Sequence, residues 1–230
     1  ENLPACISEI IDELIKNKIL HEVLVIDDGS TDNTHEVVVS MIKKYPSIRY
    51  IRNNERNGFG RAIRLGLDEY NGDALAIMMA DRSDSPKDLV LYWKTLQEGY
   101  ECVFGSRFIK GSRVYNYPKL KLLANRIVNT IIRYAFRIET NDVTNAFKMY
   151  RREVIDGCKP LISPHFNLTV ELPLKAIIRG YTWKVIPISW KNREKGIAKL
   201  KLREMGSRYF FIIAYLWLEK YFSRGDYRRK

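Results

Sequence analysis

Four carboxylates stand where a fold could put them to chemical use. Asp27 and Asp28 close the apolar run Glu22–Ile26 and open an acidic turn, Gly29-Ser30-Thr31-Asp32, while Asp81 and Asp84 follow a second apolar run at 74–79. Short buried strands rarely end in acid pairs for packing reasons, whereas the carboxyl ends of parallel strands are where open α/β sheets bind their ligands. Histidine and cysteine offer less. His21, His35 and His165 show no metal-ligand spacing among themselves or with Cys6, Cys102 and Cys158. The odd, scattered cysteine count argues against a disulfide framework and for a reducing compartment.

The elements that must position these acids alternate between two apolar periods. Residues 3–16 read as a helix, with Pro4 in its first turn and Ile7, Ile10, Ile11, Leu14 and Ile15 on one stripe. A strand is expected at Glu22–Ile26, a helix at 33–44, a strand at 48–52, a helix at 60–70, a strand at 74–79, a helix at 86–98 and a strand at 101–105. Strands separated by helices of this length imply right-handed crossovers and a mostly parallel sheet with helices on both faces. A doubly wound sheet ordinarily opens with a strand. None precedes the first helix, so Glu1-Asn2-Leu3-Pro4 reads as a helix start whose preceding strand is lost to truncation or disorder. Beyond 105 the pattern changes to a loop, a long basic helix at 118–136, a loop-and-strand unit at 142–150, a helix at 168–179, a strand at 182–188, a basic loop at 191–199 and a last helix at 201–222.

With 46% hydrophobic residues in 230, the chain can bury a large core. Its formal charge of +12 is unevenly spread: residues 1–102 are net acidic and the remainder strongly basic. A basic half points to an anionic acceptor or a membrane surface. Nucleic acid is not expected, because no helix-turn-helix, zinc-finger or RNA-binding aromatic signature is present. No secretory signal pattern opens the chain, and the longest apolar run, Tyr209–Leu218, is about half of the ~20 residues that span a bilayer. Flanked by basic segments and rich in aromatics, that run reads as an amphipathic helix lying in a membrane interface, with a buried terminal helix or an oligomer contact as the alternative. The expected placement is cytoplasmic and peripheral, on the inner face of a membrane.

Several runs carry a resemblance. Val25-Ile26-Asp27-Asp28-Gly29-Ser30-Thr31-Asp32, Asn57-Gly58-Phe59-Gly60-Arg61-Ala62 and Ala80-Asp81 resemble the inverting family 2 glycosyltransferases of the GT-A, Rossmann-like type. Gly105-Ser106-Arg107-Phe108, Tyr117-Pro118 with Asn125-Arg126 and Asn129, and Asp142-Val143-Thr144-Asn145-Ala146-Phe147-Lys148-Met149-Tyr150 resemble the dolichol-phosphate mannose synthase group within them. The resemblance implies a catalytic domain over 1–198, with a basic, aromatic amphipathic helix and tail over 199–230. It implies transfer of one sugar from a GDP- or UDP-linked donor to a polyprenyl or dolichyl phosphate.

It also implies roles. Asp27 or Asp28 would accept hydrogen bonds from the donor base or ribose, and Gly29 would let the backbone come close. Asn57, Gly58, Gly60 and Arg61 open a helix whose N–H groups would face the base or diphosphate. This is not a dinucleotide fingerprint, since Ile63 stands where the third glycine would be. Asp81 matches the later acid of the family's Asp-x-Asp, which would hold Mg²⁺ or Mn²⁺. The earlier acid is replaced by Met79, leaving Ser83 or Asp84 to complete the shell. Arg193 and Lys199 match cations of a loop that closes over the diphosphate. On the acceptor side, Arg107 and Arg126 match phosphate-gripping arginines, with Lys121 and Asn129 on the same helix. A phosphate acceptor needs no strong base. A hydroxyl of a glycan or lipid would, with Glu171 and Asp142 as candidates. A non-catalytic nucleotide-sugar binder is the third reading, suggested by Met79, and the last helix is a possible contact for a membrane subunit or a second copy.

Overall fold

In the computed structural model, residues 2–193 and 202–229 are described. The chain runs α1 (Leu3–Lys16), β1 (Val23–Asp27), α2 (Thr34–Lys44), β2 (Ile48–Arg52), α3 (Phe59–Glu69), β3 (Ala74–Ile77), α4 (Pro86–Gln97) and β4 (Cys102–Ser106). It continues with β5 (Arg113–Tyr115), α5 (Lys119–Phe136), β6 (Lys148–Arg151), α6 (Arg152–Cys158), α7 (Leu168–Ile178), β7 (Trp183–Pro187), β8 (Ser189–Lys191) and α8 (Leu202–Phe222). The pairs β1/β2, β4/β7 and β5/β8 are parallel, so the expected α/β sheet flanked by helices is present. The largest sheet has the order β3-β6-β4-β7.

β6 runs antiparallel to both neighbours. The cause lies in the preceding loop. Asp142 accepts from Arg107 and Asn145 donates to the Gly105 carbonyl, tying that loop to the carboxyl end of β4. The chain therefore enters the sheet at that end and must run back through it. The expected strand within 142–150 accordingly begins only at Lys148.

The helix stripes explain the core. On α1, Ile7 and Ile11 pack with Val38 of α2 and Ile48 of β2, while Cys6, Ile10 and Leu14 meet Leu89 and Leu96 of α4. Ile15, expected on that stripe, is 59% exposed, and Cys6 takes its place. α7 is buried nearly all round, as a helix apolar on every face must be. α8 is likewise apolar on two faces. It buries Ile212 and Leu216 against Val170 and Leu174 of α7 and Ile132 of α5, and exposes Phe210, Phe211 and Phe222. Three short elements, β5, α6 and β8, lie outside the expected set. β5 and β8 have three residues each, too few to show a period.

Candidate active site

A cavity of about 1930 Å³ opens at the carboxyl ends of β1, β3 and β4, lined by Asp27, Asp28, Asp81, Asp84 and Arg107. The four expected acids therefore share one site. Asp27, the last residue of β1, is buried. Its Oδ1 accepts from the Ser30 N–H at 2.7 Å and its Oδ2 from the Tyr50 hydroxyl at 2.7 Å. Burial pushes its pKa up, but these bonds and the Arg52 charge outweigh it and hold the carboxyl below its ordinary value. Asp28 Oδ1 accepts from Asn53 Nδ2 at 2.8 Å and Oδ2 from the Gly58 N–H at 2.8 Å, which joins the acidic turn to the start of α3. Gly29 has φ +79°, and a Cβ there would meet the Asn57 side chain at 2.8 Å, so the two loops need a glycine at their closest approach.

The glycines that open α3 do something other than expected. A Cβ on Gly58 would lie 2.5 Å from the Pro164 carbonyl oxygen, and one on Gly60 2.3 Å from that of Ser163. The Arg61 N–H donates to Pro164 O at 3.3 Å, and its guanidinium folds back onto Asn57 O at 3.1 Å. Asn57 and Gly58 line the cavity, whereas Gly60 and Arg61 serve contact with the 163–165 segment. These are close-packing glycines.

Past β3, Asp81 Oδ1 accepts from the Ser83 N–H at 3.1 Å and from its hydroxyl, and Oδ2 pairs with Arg193 Nη2 at 2.9 Å. Asp84 is buried, with Oδ2 facing the Met79 N–H at 3.4 Å. Burial, reinforced by the Asp81 charge and opposed by that N–H, pushes Asp84 up to about 7. No group of three or more acid, histidine or cysteine side chains able to hold a metal comes together among the described residues. Of the carboxylates that line the cavity, Asp81 and Asp84 are the two that follow β3. They fit a hard ion whose remaining ligands come from diphosphate and water. Lys199 lies outside the described residues.

On the opposite wall, Arg107 is buried and held in two-pronged fashion by Asp142. Its guanidinium carbon lies 5.4 Å from the Phe108 and Tyr117 ring centroids and 5.8 Å from that of Trp190. Burial alone would lower its pKa, but the Asp142 charge and hydrogen bonds outweigh that and keep it protonated. Lys121 lies over Tyr117 and Trp190, 5.8 Å from each centroid. Burial and the charges of Arg107 and Arg193 lower its pKa. From these cations the lining passes to Val128, Ile131, Phe210 and Ile213, so a cationic pocket is continuous with an apolar wall.

Residues 1–158 match the Glycosyl transferase family 2 model, well over half of the chain. The chain belongs to that family. Glycosyl transfer is therefore its class of chemistry. It is 28% identical over 211 residues to the polyprenol monophosphomannose synthase of Mycolicibacterium smegmatis, covering 87% of this chain and 76% of that protein. It is 30% identical over 206 residues to the dolichol-phosphate mannosyltransferase of Pyrococcus furiosus, covering 87% of this chain and 56% of that one. The chain thus spans about half the length of the Pyrococcus relative. The fold is also that of the glucosyl-3-phosphoglycerate synthase of Mycobacterium tuberculosis. Its complex with UDP matches at TM-score 0.65 and 18% identity, over 95% of this chain and 76% of that one. Its complex with Mn²⁺ and UDP-glucose matches at TM-score 0.64 and 18%, over 95% and 75%.

In this family 2 chain the remaining expected residues divide. Arg126 does not line the cavity: its guanidinium lies 4.7 Å from the Phe108 centroid and donates to Asn141 O at 3.2 Å. Asn129 is buried and bonds to Asn125 and Thr144. Neither base candidate is a free carboxylate. Asp142 is spent on Arg107, and Glu171 is fully buried, accepting from the Ile162 and Ser163 N–H groups and paired with Lys175 at 2.9 Å. Trp190, which the sequence did not single out, lines the cavity, and so does Tyr209, the first residue of the apolar run expected to lie in a membrane interface. Trp190 sits in the three-residue β8, too short to carry a pattern of its own.

Proposed function

We propose that this family 2 glycosyltransferase moves a single sugar from a GDP- or UDP-linked donor to a polyprenyl or dolichyl phosphate, with inversion at the anomeric carbon. The observation that carries this reading is the cationic pocket of Arg107 and Lys121, which opens directly onto the apolar wall of α5 and α8. A lipid phosphate has that same pairing of charge and hydrocarbon. The names of the Mycolicibacterium and Pyrococcus relatives support the same acceptor class and suggest mannose as the sugar.

In this reading Asp27, Asp28, Gly29, Asn57 and Gly58 receive the nucleoside, and Arg193 faces the diphosphate. Asp81 and Asp84, with Ser83 beside them, would hold Mg²⁺ or Mn²⁺. When bound, the ion would neutralise charge on the leaving diphosphate. Arg107 and Lys121 orient the acceptor phosphate, whose second pKa near 6 leaves it largely ionised at neutral pH. Its oxygen forms the new bond to the anomeric carbon as the bond to the diphosphate oxygen breaks, and the nucleoside diphosphate carries away the electron pair. No general base is required. A hydroxyl acceptor would need one, and both carboxylates considered for that task are engaged elsewhere.

Among the described residues no helix is long and apolar enough to cross a membrane. Leu120, Leu123 and Ile127 of α5 and Phe210 and Phe211 of α8 are nevertheless exposed. We assign this surface to contact with the membrane that holds the acceptor, with residues 199–230 as the attached interface segment and the cytoplasmic leaflet as the side engaged.

The test is transfer of radiolabelled sugar from a panel of nucleotide sugars, with Mg²⁺ or Mn²⁺, into polyprenyl phosphate, with donor hydrolysis counted separately. Organic-extractable label supports the assignment and identifies the donor. Hydrolysis without lipid product shifts it to a hydroxyl acceptor, and absence of donor binding removes it.

A further inference from the structure

One ion pair bridges the acidic turn after β3 and the segment after β8. Arg193 Nη2 lies 2.9 Å from Asp81 Oδ2, and the two side chains are 28% and 14% exposed. Both belong to the cavity wall. The other Asp81 oxygen accepts from the Ser83 N–H and hydroxyl, so each carboxylate oxygen already has a partner. The main chain builds this pairing in. The Lys191 N–H donates to Ser83 O at 3.1 Å, Trp190 bridges to Asp84, and the Asn192 N–H donates to Tyr115 O at 3.0 Å. Arg193 is thus delivered to Asp81 by backbone tied on one side to the 83–84 turn and on the other to β5.

A metal ion and this guanidinium compete for the same oxygen. Mg²⁺ binds carboxylate oxygen at about 2.0–2.1 Å, so an ion on Asp81 Oδ2 would stand within ~5 Å of Arg193 Nη2 in its present position. Cations that close repel each other strongly in a partly buried site. Further positive charge stands near. Burial and the charges of Arg107 and Arg193 lower the Lys121 pKa while Asp81 opposes them, so Lys121 lies within the field of the pair. A bare ion would therefore meet a positive wall. An ion that arrives on a diphosphate brings its own counter-charge, and the phosphate oxygens offer the guanidinium a two-pronged partner in exchange for Asp81.

We propose that Arg193 is an exchangeable counter-ion: it takes the metal's place on Asp81 until a nucleoside diphosphate enters, then passes to the phosphate oxygens and releases Asp81 to the ion. The inference rests on the proposed roles of Asp81 as metal ligand and Arg193 as diphosphate contact. It adds that Arg193 opposes the metal before the nucleotide arrives and serves the nucleotide afterwards. Removing the guanidinium should then help one ligand and harm the other, which a purely structural ion pair would not do.

Mn²⁺ binding, read from the loss of the free-ion electron paramagnetic resonance signal, tests this without turnover. The native protein and its Arg193→Gln, Arg193→Lys and Asp81→Asn variants are titrated with Mn²⁺ alone and with Mn²⁺ in the presence of GDP or UDP. Arg193→Gln should bind Mn²⁺ alone at least ~5-fold more tightly than the native protein, the worth of one partly exposed ion pair. In calorimetry with Mn²⁺ present it should bind the nucleotide at least ~10-fold more weakly, for want of a charge-assisted contact. Arg193→Lys, which keeps the charge, should stay near the native values for the metal alone. Unchanged or weaker binding of Mn²⁺ alone by Arg193→Gln would overturn the exchange while leaving Asp81 a metal ligand. Asp81→Asn should lose Mn²⁺ binding under both conditions; if it keeps it, the metal reading of Asp81 fails and the exchange falls with it.

Discussion

Arg107 and Asp142 form a buried, two-pronged ion pair, with Nε to Oδ2 at 2.8 Å and Nη2 to Oδ1 at 2.7 Å, and the Arg107 N–H adds a third bond to Oδ2 at 2.9 Å. The carboxylate thus fixes both the backbone and the plane of the guanidinium, leaving the Nη1 side for Tyr117 and for ligand. Removing one member of such a pair strands the other charge, at a typical cost of about 3–5 kcal/mol. Asp142→Ala should therefore destabilise the protein by that order in chemical denaturation. Asp142→Asn should fold better but raise the KM for polyprenyl phosphate more than that for the donor. Equal rises in both constants would remove Asp142 from the acceptor side.

Lys121 and Arg126 share α5 but point to different surroundings. Lys121 lines the cavity, and Arg126 stacks behind Phe108. Lys121→Ala should reduce kcat/KM for the lipid phosphate about tenfold or more, the loss of one charge-assisted contact of roughly 1.5–3 kcal/mol. Arg126→Ala should cost clearly less. Steady-state kinetics with varied acceptor decides, and the reverse ranking would mean that Arg126 swings into the site.

Glu171 presents the opposite case of a carboxylate that invites a catalytic reading. It closes a buried network with Lys175 and the Ile162 and Ser163 N–H groups. Glu171→Gln keeps the shape, leaves Lys175 without its counter-charge, and should lower the unfolding midpoint. Activity per folded molecule should stay within about twofold, because the group touches no reacting atom. A large loss of kcat with unchanged stability would return Glu171 to the role of base.

Much of this was legible in the sequence because its signals were local. The strand-then-acid pattern placed Asp27, Asp28, Asp81 and Asp84 at one end of the sheet, and the cavity gathers all four. Long periodic helices such as α1 and α5 were readable within a residue or two. What was not legible depends on distant partners. Nothing near Glu171 announces that the 162–163 backbone will cap it, and nothing in 118–136 says which side of the helix Phe108 will cover. The direction of β6 was equally hidden, since it follows from hydrogen bonds made by Asp142 and Asn145 to the end of a strand some forty residues earlier.

Gly60 separates two explanations of the same motif. If its missing side chain serves packing, Gly60→Ala must push back the 163–165 backbone, because a Cβ would sit 2.3 Å from Ser163 O and 2.8 Å from His165 N. Overpacking of this kind typically costs about 1–3 kcal/mol. The variant should lose stability and, once folded, bind nucleoside diphosphate with little change. Calorimetric titration alongside thermal unfolding checks this, and selective loss of binding would favour the diphosphate-facing role.

Lys148 carries the clearest pH dependence. It is fully enclosed, donating to the carbonyls of Val143, Asn145 and Thr169. Burial lowers its pKa to about 7; the nearby Arg107 charge adds to this, and Asp142 and Asp84 oppose it. In the unfolded chain a lysine titrates near 10.4, so between about pH 7 and 10 the unfolded state binds the extra proton, and stability contributed at this site rises with pH. Cysteines and tyrosines whose pKa values are raised by burial act in the opposite direction, so the useful quantity is a difference. Stability of the native protein minus that of Lys148→Met should increase from pH 7 to pH 9. A flat difference would mean that Lys148 stays charged in the fold, with the three carbonyls satisfying an ammonium rather than an amine.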